Sequence, residues 1–158
     1  MDEIAESNLL DEDLFRVFLA NSKRQKTKII EAVRREILAS NPTAQVGILG
    51  LSYKINTHST KNSMALELLR TFWPNIGGVY DPLATLPPGE VPIAMYSTAH
   101  ECIANSDAVV IMTPWSEFST LTFGDVNESK KSEFVVIDPF GIVDRSSLAT
   151  GIALKGLS

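Results

Sequence analysis

Between an apolar run and the next helical stretch lie Ser52, Tyr53, Lys54, Asn56, Thr57, His58, Ser59, Thr60, Lys61 and Asn62, all polar or amphipathic. Two lysines and several hydroxyls on one loop suit an anion. Lysine acts as a point charge toward phosphate, and hydroxyls can orient its oxygens. The bland alternative, two solvated loop lysines, remains open on composition alone. Placement brings the binding reading about level with it, because the segment is longer than an ordinary strand-to-helix turn and long loops often carry function. The other apolar runs end on Asp81, on Thr113, Trp115 and Glu117, and on Asp138. Asp81-Pro82 and Asp138-Pro139 would by default start turns or cap helices, and Trp115 after Pro114 would by default pack.

Other chemistries find less support. The segment Gly47-Ile48-Leu49-Gly50-Leu51-Ser52-Tyr53 lacks the glycine spacing that lets a backbone approach a dinucleotide pyrophosphate, and no Walker pattern occurs. His58 and His100 have no partner set for a metal. Cys102, the single cysteine, sits in a helical stretch with no neighbouring base to activate it, so a buried structural thiol is expected. No Ser/His/Asp arrangement stands out.

The elements that must position these residues alternate in type. AQVGILGL reads as a buried strand, and SMALELLRTF (63–72) as an amphipathic helix with Met64, Leu68, Leu69 and Phe72 on one side. GGVYDP and PIAMYS read as strands, Thr98 to Asp107 as a short helix, DAVVIMT and FVVIDP as strands, and IALKG as one more. Leu83 to Pro92, with three prolines and a glycine, reads as a loop. Such alternation predicts an α/β fold: a Rossmann-like, doubly wound, mainly parallel sheet of about five or six strands. In that class ligands sit beyond the carboxyl ends of the strands, where the polar residues above cluster.

A helical arm precedes it. Residues 8–39 contain no Gly or Pro, and Leu10, Leu14, Val17 and Phe18, then Ile29, Ile30, Val33 and Ile37, recur at helical spacing until Asn41-Pro42. Whether Asn21 to Lys28 continues the helix or breaks it is left open. The expected organisation is therefore an arm over 1–40 and an α/β domain over 41–158. Six acids precede residue 14, and seven of the fourteen bases fall between Arg16 and Arg35. The run KRQKTK (23–28) with Arg34-Arg35 after it has no interleaved aromatics, and Glu31 and Glu36 lie among its later bases, which argues for a solvated helix face and against nucleic acid. The 158 residues suffice for one sizeable core. A net charge of -5 and short apolar runs give no pull toward nucleic acid or membrane. The acidic first residues lack a secretory pattern, so the cytoplasm is expected.

Taken in order, VGILGLSYKINT with Ser63 downstream, VYDP, DAVVIMTPWSEF, FVVID and GIALKG resemble the C-terminal, UDP-binding domain of the UDP-glucose/GDP-mannose dehydrogenase family. Asn21 and Gln25 resemble the asparagine and glutamine of the helix that joins that family's two domains. The resemblance implies a domain that holds a UDP-sugar while a separate Rossmann domain holds NAD. Complete family members are oxidoreductases of polysaccharide biosynthesis that oxidise the sugar C6 alcohol to a carboxylate in two NAD-dependent steps. They use a cysteine thioester and a helper lysine that lie outside the matched part. Cys102 does not align with that nucleophile, so this chain alone is expected to bind no cofactor and to be catalytically inactive. The resemblance also suggests a homodimer through the helical arm.

Carried over by motif, Lys54 resembles the lysine that approaches the nucleotide sugar and Tyr53 its aromatic neighbour. Thr57 and Ser63 match the residues framing the loop, and Asp81, Thr113, Trp115 and Asp138 match strand-end positions. Where the family has an aspartate and an arginine, this chain has Ser59 and Lys61. The family's Asp-Gly-Arg is here Asp138-Pro139-Phe140. Lysine keeps the charge but loses the bidentate fork, and Phe140 loses the charge, so weakened or altered binding is expected. Two further readings are a non-catalytic remnant that associates through residues 9–38 with a decayed ligand site, and a domain for another phosphorylated metabolite.

Overall fold

A computed structural model describes residues 24–61, 63–124 and 133–157. The expectations for Leu10, Leu14, Val17, Phe18 and Asn21 fall outside the described residues. From residue 24 the chain is helical to 38 (α1), with the wider π-type turn over Arg34–Leu38. The remaining elements are β1 (Val46–Leu49), α2 (Met64–Phe72), β2 (Ile76–Tyr80), α3 (Ala99–Ala104), β3 (Ala108–Ile111), β4 (Phe134–Ile137) and β5 (Ile152–Lys155). The five strands among the described residues are parallel, in the order β2-β1-β3-β4-β5. This is the expected doubly wound α/β sheet, with IALKG as its edge strand. The reversal of strand order between β1 and β3 opens a crevice at their carboxyl ends.

Alternation of side chains along the strands builds two cores. Val46 and Ile48 of β1, Ala108 and Val110 of β3 and Ile137 of β4 face α1 and α2. Leu49, Val109, Ile111, Phe134 and Val136 face α3 and the segment carrying Phe118, Leu121 and Phe123. Period-two patterning thus buries both faces, as a central parallel sheet requires. Gly47 lies under α3, where a Cβ would stand 2.4 Å from Ser106 Oγ and 3.1 Å from Cys102 Sγ. Glycine here lets the helix pack directly on the strand.

The apolar stripe of α1 is buried within the chain. Ile29, Ala32, Val33 and Ile37 join the first core, Lys26 pairs with Glu67 of α2 at 2.5 Å, and the Arg34 guanidinium lies over the Phe72 ring. Arg24, Lys28 and Arg35 are exposed on the other side, which fits a solvated basic face. α2 starts where Ser63 caps it, its hydroxyl accepting from the Ala65 amide at 3.1 Å.

One expected strand is absent. PIAMYS makes a single bridge, Met95 to Val79, held by Val79 N–H to Ala94 and Tyr96 N–H to Val79. Pro92 can donate no ladder bond, and Tyr96 then leaves the strand direction to lay its ring over Gly78, where a Cβ would meet it at 2.1 Å. The apolar content of this stretch packs against the sheet edge without adding a strand.

Candidate functional site

The crevice is built from the three chain segments that leave β1, β2 and β3. Gly50 follows β1 at φ +103°, and a Cβ there would fall 2.6 Å from Thr113, so glycine is required for the two segments to touch. The Gly50 amide donates to the Tyr80 carbonyl (2.7 Å), and Met112 N–H donates to Leu49 (2.8 Å).

Asp81, at the end of β2, binds these segments together. Its Oδ2 accepts from the amides of Leu51 (2.7 Å) and Ser52 (3.0 Å), from the Ser52 hydroxyl (3.2 Å) and from the Trp115 indole N–H (3.2 Å). Its Oδ1 accepts from the amides of Leu83 (2.8 Å) and Ala84 (2.7 Å). Only 6% of Asp81 is exposed. Burial pushes its carboxyl up, but the amides of Ala84, Leu83, Ser52 and Leu51 together outweigh that and hold it below its ordinary value. The same dipeptide is fixed from the other side. The Leu51 carbonyl accepts from Ser63 Oγ (2.5 Å), and the Ser52 carbonyl accepts from Thr113 Oγ1 (2.7 Å).

From this anchor the chain runs into the loop. Tyr53 N–H donates to the Ser59 carbonyl (3.1 Å), Ser59 N–H to Thr57 Oγ1 (3.1 Å) and Lys61 N–H to Ser59 Oγ (3.3 Å). Asn56 takes a left-handed turn at φ 61°, a conformation asparagine tolerates. Lys54 and Lys61 are both exposed, and the Lys54 ammonium stands 5.5 Å from the Tyr53 ring centre. Neither lysine has a carboxylate partner among the described residues. Residues 52–61 contain no acid at all, so the loop presents uncompensated positive charge.

The nine sequence-derived candidates therefore separate into three groups. Ser63, Asp81, Thr113 and Trp115 come together around Leu51 and Ser52, with Ser63, Asp81 and Thr113 buried. Tyr53, Lys54, Thr57 and Lys61 share the loop that this cluster holds. Asp138 stands apart, two strands from β1, or about 10 Å across the sheet. Its Oδ2 accepts from Val143 N–H (2.9 Å), while its buried Oδ1 has no hydrogen-bond partner among the described residues. Phe140, where the resembled family has arginine, packs against the second core.

Two participants escape a reading by residue type. Ser52 is buried and bonded through its amide, hydroxyl and carbonyl, yet in sequence it is one serine among several loop hydroxyls. Tyr80 ends β2 inside the second core and donates to Glu117 Oε1 at 2.8 Å; burial first, then that bond, pushes its phenol up to about 12. The Cys102 thiol is fully buried and pushed up to about 12 by burial, unsuited to a nucleophile. No group of three or more potential metal ligands occurs among the described residues. No described helix is long and apolar enough to cross a membrane. Cavities of about 310 and 250 Å³ lie by the starts of β3 and β4 and beside α3, and neither is lined by the loop.

Comparison with known proteins points the same way. The family model described as "UDP-glucose/GDP-mannose dehydrogenase family, UDP binding domain" matches residues 47–145. Over 106 residues the chain is 31% identical to a UDP-N-acetyl-D-mannosamine dehydrogenase of Methanococcus maripaludis, covering 65% of this chain and 24% of that protein. Over 105 residues it is 34% identical to a UDP-glucose 6-dehydrogenase of Haloferax volcanii, covering 64% of this chain and 24% of that protein. The chain thus spans about a quarter of the length of these relatives. Among solved structures, a UDP-N-acetyl-mannosamine dehydrogenase from Staphylococcus aureus shares the fold, with a TM-score of 0.63 and 22% identity over 84% of this chain and 30% of that one.

Proposed function

The chain belongs to the UDP-glucose/GDP-mannose dehydrogenase family, as its UDP binding domain, and from that premise we propose that it grips the diphosphate of a UDP-sugar on the rim formed by Tyr53 to Ser63. The observation that carries this reading is the pair Lys54 and Lys61, without carboxylate partners among the described residues, on an acid-free loop at the carboxyl ends of a doubly wound sheet. The two ammonium groups supply point charges to the phosphate oxygens, and Thr57 lies between them in sequence. The Tyr53 ring, half-buried beneath the Lys54 ammonium, offers a flat wall. Trp115, half-buried and tethered through its indole N–H, borders the same crevice from the β3 side.

We assign the chain the substrate-holding role in an NAD-dependent nucleotide-sugar oxidation. NAD would supply the hydride acceptor for such a reaction. The residues here supply no glycine-rich dinucleotide turn and no accessible thiol, so their part is to bind and orient the substrate.

Thermal unfolding with UDP, a UDP-sugar or uridine tests this. A ligand at a hundred times its dissociation constant stabilises by about 2.7 kcal/mol, so UDP and the UDP-sugar should raise the melting temperature while uridine, lacking phosphate, should not. Lys54→Ala should weaken UDP binding by about tenfold to a hundredfold, the value of one charge-assisted contact. Absence of any shift with millimolar UDP and UDP-sugar would refute the reading.

A further inference from the structure

We propose that Asp81 is the positioning residue of this rim: its carboxylate fixes the path by which the chain leaves β1 and so sets where Tyr53 and Lys54 stand. In its last step the inference rests on the reading of the rim as an anion site; the clamp itself does not.

An ionised carboxylate offers about four lone-pair directions. Asp81 already accepts six donors, divided between both oxygens. It has no capacity left for a ligand and only 6% exposure through which to meet one. Its donors come from three separate segments: Leu51 and Ser52 after β1, Leu83 and Ala84 after β2, and Trp115 after β3. A single group with two acceptor oxygens and a negative charge can satisfy all of them at once. Asparagine has the same shape but turns an N–H₂ toward one set of N–H donors, so one side of the clamp must open.

The consequence reaches the loop directly. Both amides of Leu51-Ser52 point to Asp81 while both carbonyls are held by Ser63 and Thr113, leaving that dipeptide no free backbone group. Tyr53 and Lys54 follow at once. Opening the Asp81 side frees the pinned dipeptide on which the lysine is carried, and a misplaced charge loses its phosphate contact.

Amide hydrogen exchange by NMR, together with UDP titration, on the whole chain and its Asp81→Ala variant, which removes both acceptor oxygens, tests the proposal. In the variant, exchange at Leu51 and Ser52 should accelerate at least tenfold while Val109 and Val110 inside β3 keep their protection. UDP affinity should fall about tenfold, and adding Lys54→Ala should then cost much less than it does in the parent, because the two residues act in series. Unchanged protection at Leu51 and Ser52 overturns the clamp. Full UDP affinity despite lost protection overturns its positioning role. If the variant does not fold, the parent decides: Leu51 and Ser52 must exchange as slowly as Val110, and exchange as fast as Asn56 overturns the proposal. A parent that binds no UDP removes the reading of the rim, while the exchange pattern still decides the clamp.

Discussion

Two strands of this sheet end in the same dipeptide, Asp-Pro, and the two aspartates live differently. Asp81 is filled from every side, whereas the Asp138 carboxylate accepts one bond, from the Val143 amide of its own turn, and leaves Oδ1 without a donor among the described residues. Both are buried, at 6% and 4% exposure. The difference comes from what passes beside each strand end. After β2 the chain lies against the segment leaving β1 and within reach of the Trp115 indole from β3. After β4 it meets its own return, Gly141 to Val143, and the carbonyl of Lys155 on edge strand β5. A buried carboxylate at a strand end is therefore a structural hub only where neighbouring chains bring it donors.

That contrast can be broken by substitution. Asp81→Ala removes the acceptor for six donors and strands buried amides, so a loss of about 3–5 kcal/mol is expected in urea unfolding, among the largest single-residue effects. A loss under about 1 kcal/mol would mean that the six bonds are replaced by water.

The turn glycines extend the comparison. Gly50→Ala must place a methyl 2.6 Å from Thr113 at φ +103° and should cost about 2–4 kcal/mol through strain and overpacking. Gly141, beside Asp138, has φ +65° with nothing within 4 Å, so Gly141→Ala should cost only about 1–2 kcal/mol. Parallel denaturation curves check the order.

Acid sharpens it further. Because Asp81 is held below its ordinary value in the folded chain, its contribution is complete above the unfolded carboxyl's pKa of about 3.9 and is withdrawn as pH falls through the lower folded value. The difference in stability between the parent and Asp81→Asn should thus stay flat from neutral pH to about pH 5 and shrink below about pH 4.

The smallest effect belongs to Asp138→Asn. The amide keeps an oxygen for Val143 N–H and removes a buried charge whose one donor among the described residues is that backbone amide, so stability should change by less than about 1 kcal/mol in either direction. A loss comparable to that of Asp81→Ala would erase the distinction between the two strand ends.

Much of this was legible in the residues. Compact apolar runs ending in polar residues marked β1, β3 and β4, and Ser63 before Met64, Leu68 and Phe72 marked the start and face of α2. Lys54 and Lys61 stood out because two lysines and several hydroxyls share one long loop after an apolar run. PIAMYS misled because apolar content records burial and not pairing, and the bridge at Met95 satisfies burial without a ladder. Ser52 was invisible as a special residue, since its three bonds go to Asp81 and Thr113, far along the chain.

Element type and order came from local physics: periodicity, capping and turn chemistry act over a few residues and can be read in sequence. Which strand ends meet came from the sheet order β2-β1-β3-β4-β5, a property of the whole packed chain. The donors that distinguish Asp81 from Asp138 lie 30 positions upstream at Leu51 and 34 downstream at Trp115. Separations of that kind are closed by burial of both sheet faces, and no local pattern encodes them.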